Sequence, residues 1–252
     1  MSKLVFITGA SSGFGKACAE IFAKSGYNLI INGRRVQRLD ESAKELSNKY
    51  GVQVKTLAFD VREEKAVVEA IESLTDEWKN IDVLVNNAGL AVGRDYFEEA
   101  SFDDWNRMID TNIKGFLYVA KSIAKLMAAR KQGHIINLGS TAGKLVYEKG
   151  NAYCGTKFAV DALSQSMRID LLRHGIKVTT VNPGAAETEF SLVRFKGDAD
   201  TATKVYDGLK PLSADDVAGV IYYATTLPDH VCINELTLTC TQQADAFYFH
   251  KK

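Results

Sequence analysis

Tyr153 and Lys157 stand four positions apart in Tyr153-Cys154-Gly155-Thr156-Lys157, so on a helix both side chains share one face. An ammonium close to a phenol favours the phenolate and lowers the tyrosine pKa. A tyrosine so placed can take the proton of a substrate hydroxyl, or return it to a forming alkoxide. The segment before it ends in Asn137-Leu138-Gly139-Ser140, which puts the Ser140 hydroxyl at the carboxyl end of a predicted strand. These three residues are candidates for proton transfer at an alcohol or carbonyl carbon.

A second constellation lies near the start of the chain, where Thr8-Gly9-Ala10-Ser11-Ser12-Gly13-Phe14-Gly15 joins a predicted strand to a predicted helix. Glycines there permit a tight turn and let backbone N–H groups approach a pyrophosphate, whose charge a helix N-terminus favours. The spacing is G-x-x-x-G-x-G rather than G-x-G-x-x-G. After the next strand come Gly33-Arg34-Arg35, with no carboxylate at positions 31 to 35. An acidic residue there would select NAD by accepting from the ribose hydroxyls, whereas arginine accommodates a 2′-phosphate. Arg34 is therefore expected to be the main 2′-phosphate ligand, Arg35 to assist it, and the cofactor to be NADP.

Positioning these groups requires strands that end where helices begin. Apolar, β-branched runs at residues 4–8, 28–32, 52–59, 83–86, 134–138, 177–181 and 235–239 read as strands. Several are apolar almost throughout, as parallel strands covered on both faces must be. Between them lie helical patterns. The first carries Phe14, Cys18, Ile21 and Phe22 on one face, with Gly26 at its C-terminal end. Others cover about 36–49, 63–78, 102–130, 152–174 and 214–226. The alternation implies an α/β fold, a single-domain Rossmann-type doubly wound parallel sheet over residues 1–252 with helices on both faces. The stretch 184–212, with at most a short helix, is expected to be a substrate lid at the carboxyl ends of the strands.

Lysine plus arginine balance aspartate plus glutamate at 31 each, and no long run of one sign appears. Neither a nucleic acid nor an anionic membrane is expected as a partner. Cys18, Cys154, Cys232 and Cys240 show no metal-ligand spacing with the histidines, so they read as free thiols and no metal is expected. The short apolar stretch at the N-terminus reads neither as a signal peptide nor as a membrane helix, and the expected location is cytoplasmic.

With these motifs assembled, the chain resembles the short-chain dehydrogenase/reductase family over essentially its whole length. Asp60-Val61, Asn86-Asn87-Ala88-Gly89, Asn112, and Pro183-Gly184 with Thr188 extend the match. The resemblance implies that Tyr153 is the acid/base, that Ser140 orients the reacting oxygen, and that Lys157 holds the nicotinamide ribose. It also implies that Asn112 kinks its helix and holds a water in a proton relay. By the same resemblance Asp60 and Val61 flank the adenine, Asn87 lies on the adenosine side, and Pro183, Gly184 and Thr188 line the nicotinamide. Asp60 read alone is equally a helix N-cap.

The chain is more narrowly similar to the NADP-dependent 3-hydroxy acid dehydrogenase branch, which acts on serine, allo-threonine and 3-hydroxypropionate-type substrates. Residues 32–35, 139–143 and 188–198 carry this likeness. A substrate carboxylate needs a cation in a closed site, and Arg194 is the candidate, with Lys196 behind it. Ala185-Ala186 depart from the bulkier aliphatic residues usual in that branch and imply a roomier pocket. A general ketone or aldehyde reductase of the same family is the alternative, and a non-catalytic NADP-sensing protein a remoter one. The resemblance also implies a homotetramer. The aromatic end, Ala246-Phe247-Tyr248-Phe249-His250, is expected to pack on a neighbouring subunit or on its own domain.

Overall fold

The computed structural model describes residues 2–252. Its strands are β1 (Leu4–Ile7), β2 (Asn28–Gly33), β3 (Val54–Ala58), β4 (Val83–Asn86), β5 (His134–Leu138), β6 (Lys177–Pro183) and β7 (Glu235–Leu238). All seven pair in parallel in one sheet, in the order β3-β2-β1-β4-β5-β6-β7. The helices are α1 (Gly13–Lys24), α2 (Val36–Tyr50), α3 (Glu64–Glu72), α4 (Asp76–Lys79), α5 (Phe102–Ile109), α6 (Phe116–Arg130), α7 (Asn151–Leu171), α8 (Glu189–Arg194), α9 (Ala199–Lys204) and α10 (Ala214–Thr225).

The inner strands β1, β4 and β5 are buried throughout because both faces are covered, whereas the edge strands β3 and β7 are only partly buried. Val5 and Ile7 of β1 pack into one core with Cys18 and Phe22 of α1, Leu39 of α2 and Ile221 of α10. Leu4 and Phe6 point the other way, into a second core with Val67 of α3 and Ile123 and Met127 of α6. Strand order reverses between β1 and β4, which opens a crevice at their carboxyl ends, the place where such sheets bind ligands.

Three expected elements come out differently. The helix expected over 63–78 is divided into α3 and α4 by a turn whose Leu74 is buried. The single helix expected over 102–130 is α5, a π-helical segment at Asp110–Gly115, and α6. Tertiary contacts explain this break. The Asn112 side chain accepts from Leu90 N at 2.8 Å and donates to Leu90 O at 2.8 Å and to Thr156 Oγ1 at 3.0 Å. At Gly115 a methyl group would sit 2.8 Å from Val61 Cγ2, so this turn and the loop after β3 pack backbone to backbone. The segment 184–212 holds two short helices, α8 and α9, and is tied back by a bridge between Ala186 and Leu212.

The aromatic tail folds onto its own chain. Gln243 pairs with Phe249 in an antiparallel bridge, and Lys252 N donates to Gly208 O at 3.1 Å. Phe247 and Phe249 line the central cavity, and Phe247, like Tyr248, is largely exposed.

His134 opens β5 with its ring buried and Nε2 2.7 Å from Thr179 Oγ1. Burial, helped by Lys177, pushes its pKa down from the ordinary 6.5 to about 3. The native state therefore binds fewer protons than the unfolded state below pH 6.5, and stability must fall as pH drops from there toward 3. At pH 5 the loss from this group is about 2 kcal/mol. Urea denaturation of the wild type and of His134→Gln between pH 7 and pH 4 should show a steeper decline in the wild type. Parallel curves would show that His134 titrates normally in the fold.

Candidate active site

The crevice opens into a cavity of about 960 Å³, lined by the glycine-rich turn, the ends of β2, β4, β5 and β6, and the segment 183–195. At one end β1 delivers its turn to α1. Gly9 and Gly13 adopt left-handed conformations, with φ of +66° and +51°. A side chain on Gly15 would collide with the Gly9 carbonyl oxygen, so the turn presents bare backbone. Ser11, Ser12 and Phe14 complete its rim. Asn87 supports the turn from β4, donating from Nδ2 to Thr8 O at 2.8 Å. This is a groove shaped for a pyrophosphate, and α1 starts beneath it.

The two arginines after β2 have different surroundings. Arg34 lines the cavity but is 63% exposed, with its guanidinium 3.7 Å from Asp60. Arg35 is the one engaged with the turn. Its Nη2 donates to Ser12 Oγ at 2.8 Å and to Ser11 Oγ at 2.9 Å. Asp60 does not cap α3: although burial pulls its carboxyl pKa up, hydrogen bonds from Arg62 prevail and hold it low. Val61 is buried at the cavity wall beside it.

At the other end stand Ser140, Tyr153 and Lys157, all lining the cavity. Ser140 follows β5 in an extended conformation. Asn182 on β6 accepts its N–H at 3.1 Å, and its hydroxyl oxygen accepts from Ala142 N, also at 3.1 Å. Gly143 lets α7 approach this loop, since a methyl group there would lie 2.6 Å from the Lys157 carbonyl oxygen. Tyr153 and Lys157 are buried on the first two turns of α7. The ammonium donates to Leu138 O at 2.9 Å and lies 6.0 Å from the centre of the Tyr153 ring.

The electrostatics correct one expectation. Burial pushes the Tyr153 phenol pKa up, outweighing the downward pull of the Ser140 hydroxyl and Arg194. Burial also lowers the Lys157 ammonium to about 8, still protonated at neutral pH. In the free protein burial therefore opposes formation of the phenolate. The Asn112 side chain is committed to Leu90 and Thr156.

Above the tyrosine lies Arg194, the last residue of α8. Its guanidinium carbon is 5.4 Å from the centre of the Tyr153 ring and 5.5 Å from that of Tyr147, whose hydroxyl accepts from Nη2 at 2.9 Å. Arg194 Nε is buried with no hydrogen-bond partner. Lys196, by contrast, forms an ion pair with Asp104 at 2.7 Å and does not line this cavity. Pro183, Gly184, Ala185 and Ala186 form the floor, and Thr188 caps α8 opposite Gly13. The wall that Ala185 and Ala186 leave low is raised by Phe190, whose ring centre is 5.7 Å from that of Tyr153, and by Phe247 and Phe249 of the tail.

Sequence reading missed Tyr147, Glu189 and Gln243. Tyr147 holds Arg194, and Gln243 accepts from Ala185 N at 2.7 Å. Glu189 binds Arg35, 154 positions away along the chain. Glu189 lies within residues 188–198, but each of the three acts only through a distant partner. Thr188, which adjoins Glu189, was the one nearby signal.

The model of the short chain dehydrogenase family matches residues 3–198. The chain is 44% identical to sulfoacetaldehyde reductase 2 of Chromohalobacter salexigens over 97% of its length and 96% of that protein. It is also 44% identical to the NADP-dependent 3-hydroxy acid dehydrogenase YdfG of Escherichia coli K12, over 96% of this chain and 97% of the other. Among solved structures, the closed form of serine dehydrogenase complexed with NADP+ superposes with a TM-score of 0.91 at 42% identity, covering 99% of this chain and 100% of that one. The chain thus belongs to the short-chain dehydrogenase family.

Proposed function

We propose that the protein is an NADP-dependent oxidoreductase that interconverts a short hydroxy acid and its oxo acid. One observation carries the substrate class: a half-buried arginine whose Nε is buried and unpaired, set over the ring of the tyrosine that would exchange the proton. An unpaired buried donor is costly, and a carboxylate or sulfonate would satisfy it through two parallel hydrogen bonds. The substrates named for the relatives agree with this. Sulfoacetaldehyde and a 3-hydroxy acid both carry an anionic group one carbon from the reacting carbon. One arginine at a fixed distance from Tyr153 serves either.

The cofactor reading rests on the side-chain-free turn, on the arginines after β2, and on the NADP-linked relatives. Gly9, Ser11, Ser12, Gly13, Phe14 and Gly15 would hold the pyrophosphate. Arg35, more than Arg34, would take the 2′-phosphate. Asp60, Val61 and Asn87 would hold the adenosine end, and Pro183, Gly184, Thr188 and Lys157 the nicotinamide riboside. When bound, the nicotinamide supplies the hydride acceptor or donor. Ser140 donates to the reacting oxygen and Tyr153 exchanges its proton. Lys157, fixed by Leu138 O, stabilises the phenolate that results. Asn112, in the π-helical segment, would hold a water that carries the relayed proton toward solvent.

The segment 184–212 would act as the lid, because it carries Arg194. No helix among the described residues is long and apolar enough to cross a membrane. A cytoplasmic location and a homotetramer are part of this proposal. The exposed Phe158, Ile169 and Leu172 on and just beyond α7 favour burial against a second copy. Light scattering at micromolar concentration should then give a multiple of 27.7 kDa, and a monomer mass would refute the assembly.

Two variants test the chemistry. Tyr153→Phe should abolish turnover of any substrate while NADPH binding, followed by fluorescence titration, changes less than about twofold; retained activity would remove the acid/base role. Arg194→Ala should lower kcat/KM for hydroxy acids by roughly 10- to 150-fold, through KM, and barely affect uncharged alcohols and ketones. Equal losses on both substrate kinds would rule out an anion contact and favour a general carbonyl reductase.

A further inference from the structure

Glu189 is the first residue of α8, at the opposite end of that helix from Arg194. Its carboxylate receives Arg35 Nη1 at 2.9 Å, and Arg38 Nη1 at 2.9 and 3.2 Å. Both arginines lie on the far side of the cavity, at the start of α2. The contact therefore spans the mouth of the cleft, from the region where a 2′-phosphate would bind to the segment that carries the substrate arginine. Hydrogen bonding from Arg35, and then from Arg38, holds the Glu189 carboxyl below its usual range, so it is an anion at neutral pH.

Every nitrogen of the Arg35 guanidinium is engaged in this arrangement. Nη1 serves Glu189, while Nε and Nη2 serve the Ser11 and Ser12 oxygens. A 2′-phosphate bound bidentately by Arg35 must take over some of these N–H groups. It carries more charge than a carboxylate, and a carboxylate left beside it would be repelled. Two guanidinium groups facing one carboxylate leave a net positive charge that attracts the phosphate in the first place. With Arg35, Arg38 and Glu189 all 41–49% exposed, the ion pairs are individually weak, as an exchangeable contact requires.

On the basis of the NADP reading above, we infer that Glu189 couples cofactor choice to the substrate lid: the adenosine 2′-phosphate takes Arg35 from Glu189 and releases the first turn of α8. NAD, with no 2′-phosphate, leaves the tie in place. Glu189 is thus a positioning and specificity residue, with no part in hydride or proton transfer. The far end of α8 stays anchored during the exchange, because Gly93 N donates to Arg194 O and Arg194 to Tyr147.

Fragments that cannot reach Tyr153 or Arg194 separate this effect from catalysis. Binding of 2′,5′-ADP and of 5′-ADP to the wild type and to Glu189→Gln would be measured by calorimetry, with hydrogen exchange of amides 189–194 followed alongside. The wild type should prefer 2′,5′-ADP, and exchange in α8 should rise with that ligand and not with 5′-ADP. Glu189→Gln should bind 2′,5′-ADP roughly three- to fivefold more tightly, bind 5′-ADP unchanged, and show raised exchange with either ligand or none. Equal effects on both fragments, or α8 exchange in the wild type that ignores the 2′-phosphate, would overturn the coupling while leaving the cofactor reading intact. No preference for 2′,5′-ADP in the wild type would remove the cofactor reading and the coupling together.

Discussion

A buried ammonium without a carboxylate partner governs the construction of this site. Lys157 lies inside the protein, and its hydrogen bond runs to the carbonyl of Leu138, at the end of β5. An isolated buried charge is costly, and here the cost appears as a lysine brought down to about 8. The charge is tolerable because α7 packs closely against the end of the sheet. Gly143, which has no side chain to hold the two apart, makes that approach possible. Once α7 is seated there, Tyr153, one turn earlier, must face the same crevice as Ser140. Strand end, glycine, lysine and phenol form one geometric unit.

The opposite wall is fixed by a helix that breaks its own regularity. A continuous α-helix through 110–115 would turn Asn112 away from Leu90, leaving the N–H and C=O of that residue unpaired in a buried position. The π-helical segment keeps both pairs and adds the contact with Thr156 on α7. The strand end after β4, the interrupted helix and α7 are thereby bound together at one side chain. Insertions of this kind recur at functional sites because they redirect backbone groups without unravelling the helix.

The substrate side is less rigid. α8 and α9 are short, and their ties are surface ion pairs, a hydroxyl pair between Ser191 and Tyr206, and the folded-back tail. Exposed ion pairs contribute little each, so this wall is held by many small interactions whereas the floor is held by the sheet. A site that must admit and release a substrate is well served by that contrast. The buried donor of Arg194 is the exception within it, held in place by Tyr147 and oriented over Tyr153.

Much of this was legible in the residues. Uninterrupted apolar strands dictate a sheet covered on both sides, because no alternation is left to face water. The glycines at 9, 13 and 15 dictate a bare turn, since left-handed backbone and close approach exclude side chains. The spacing of Tyr153 and Lys157 dictates a shared helix face. What only the tertiary structure decided concerns energies that depend on everything around a group. The spacing of Tyr153 and Lys157 says nothing of how deeply the phenol is buried, and that burial raises its pKa. Which of two adjacent arginines meets the turn is fixed by the backbone at the start of α2, and Arg35 is the one that turns inward. The roles of Glu189, Tyr147 and Gln243 depend on partners 47 to 154 positions away, and such pairings exist only once the chain has folded. Periodicity is a local property and can be read along the chain, whereas solvation and long-range pairing belong to the folded whole.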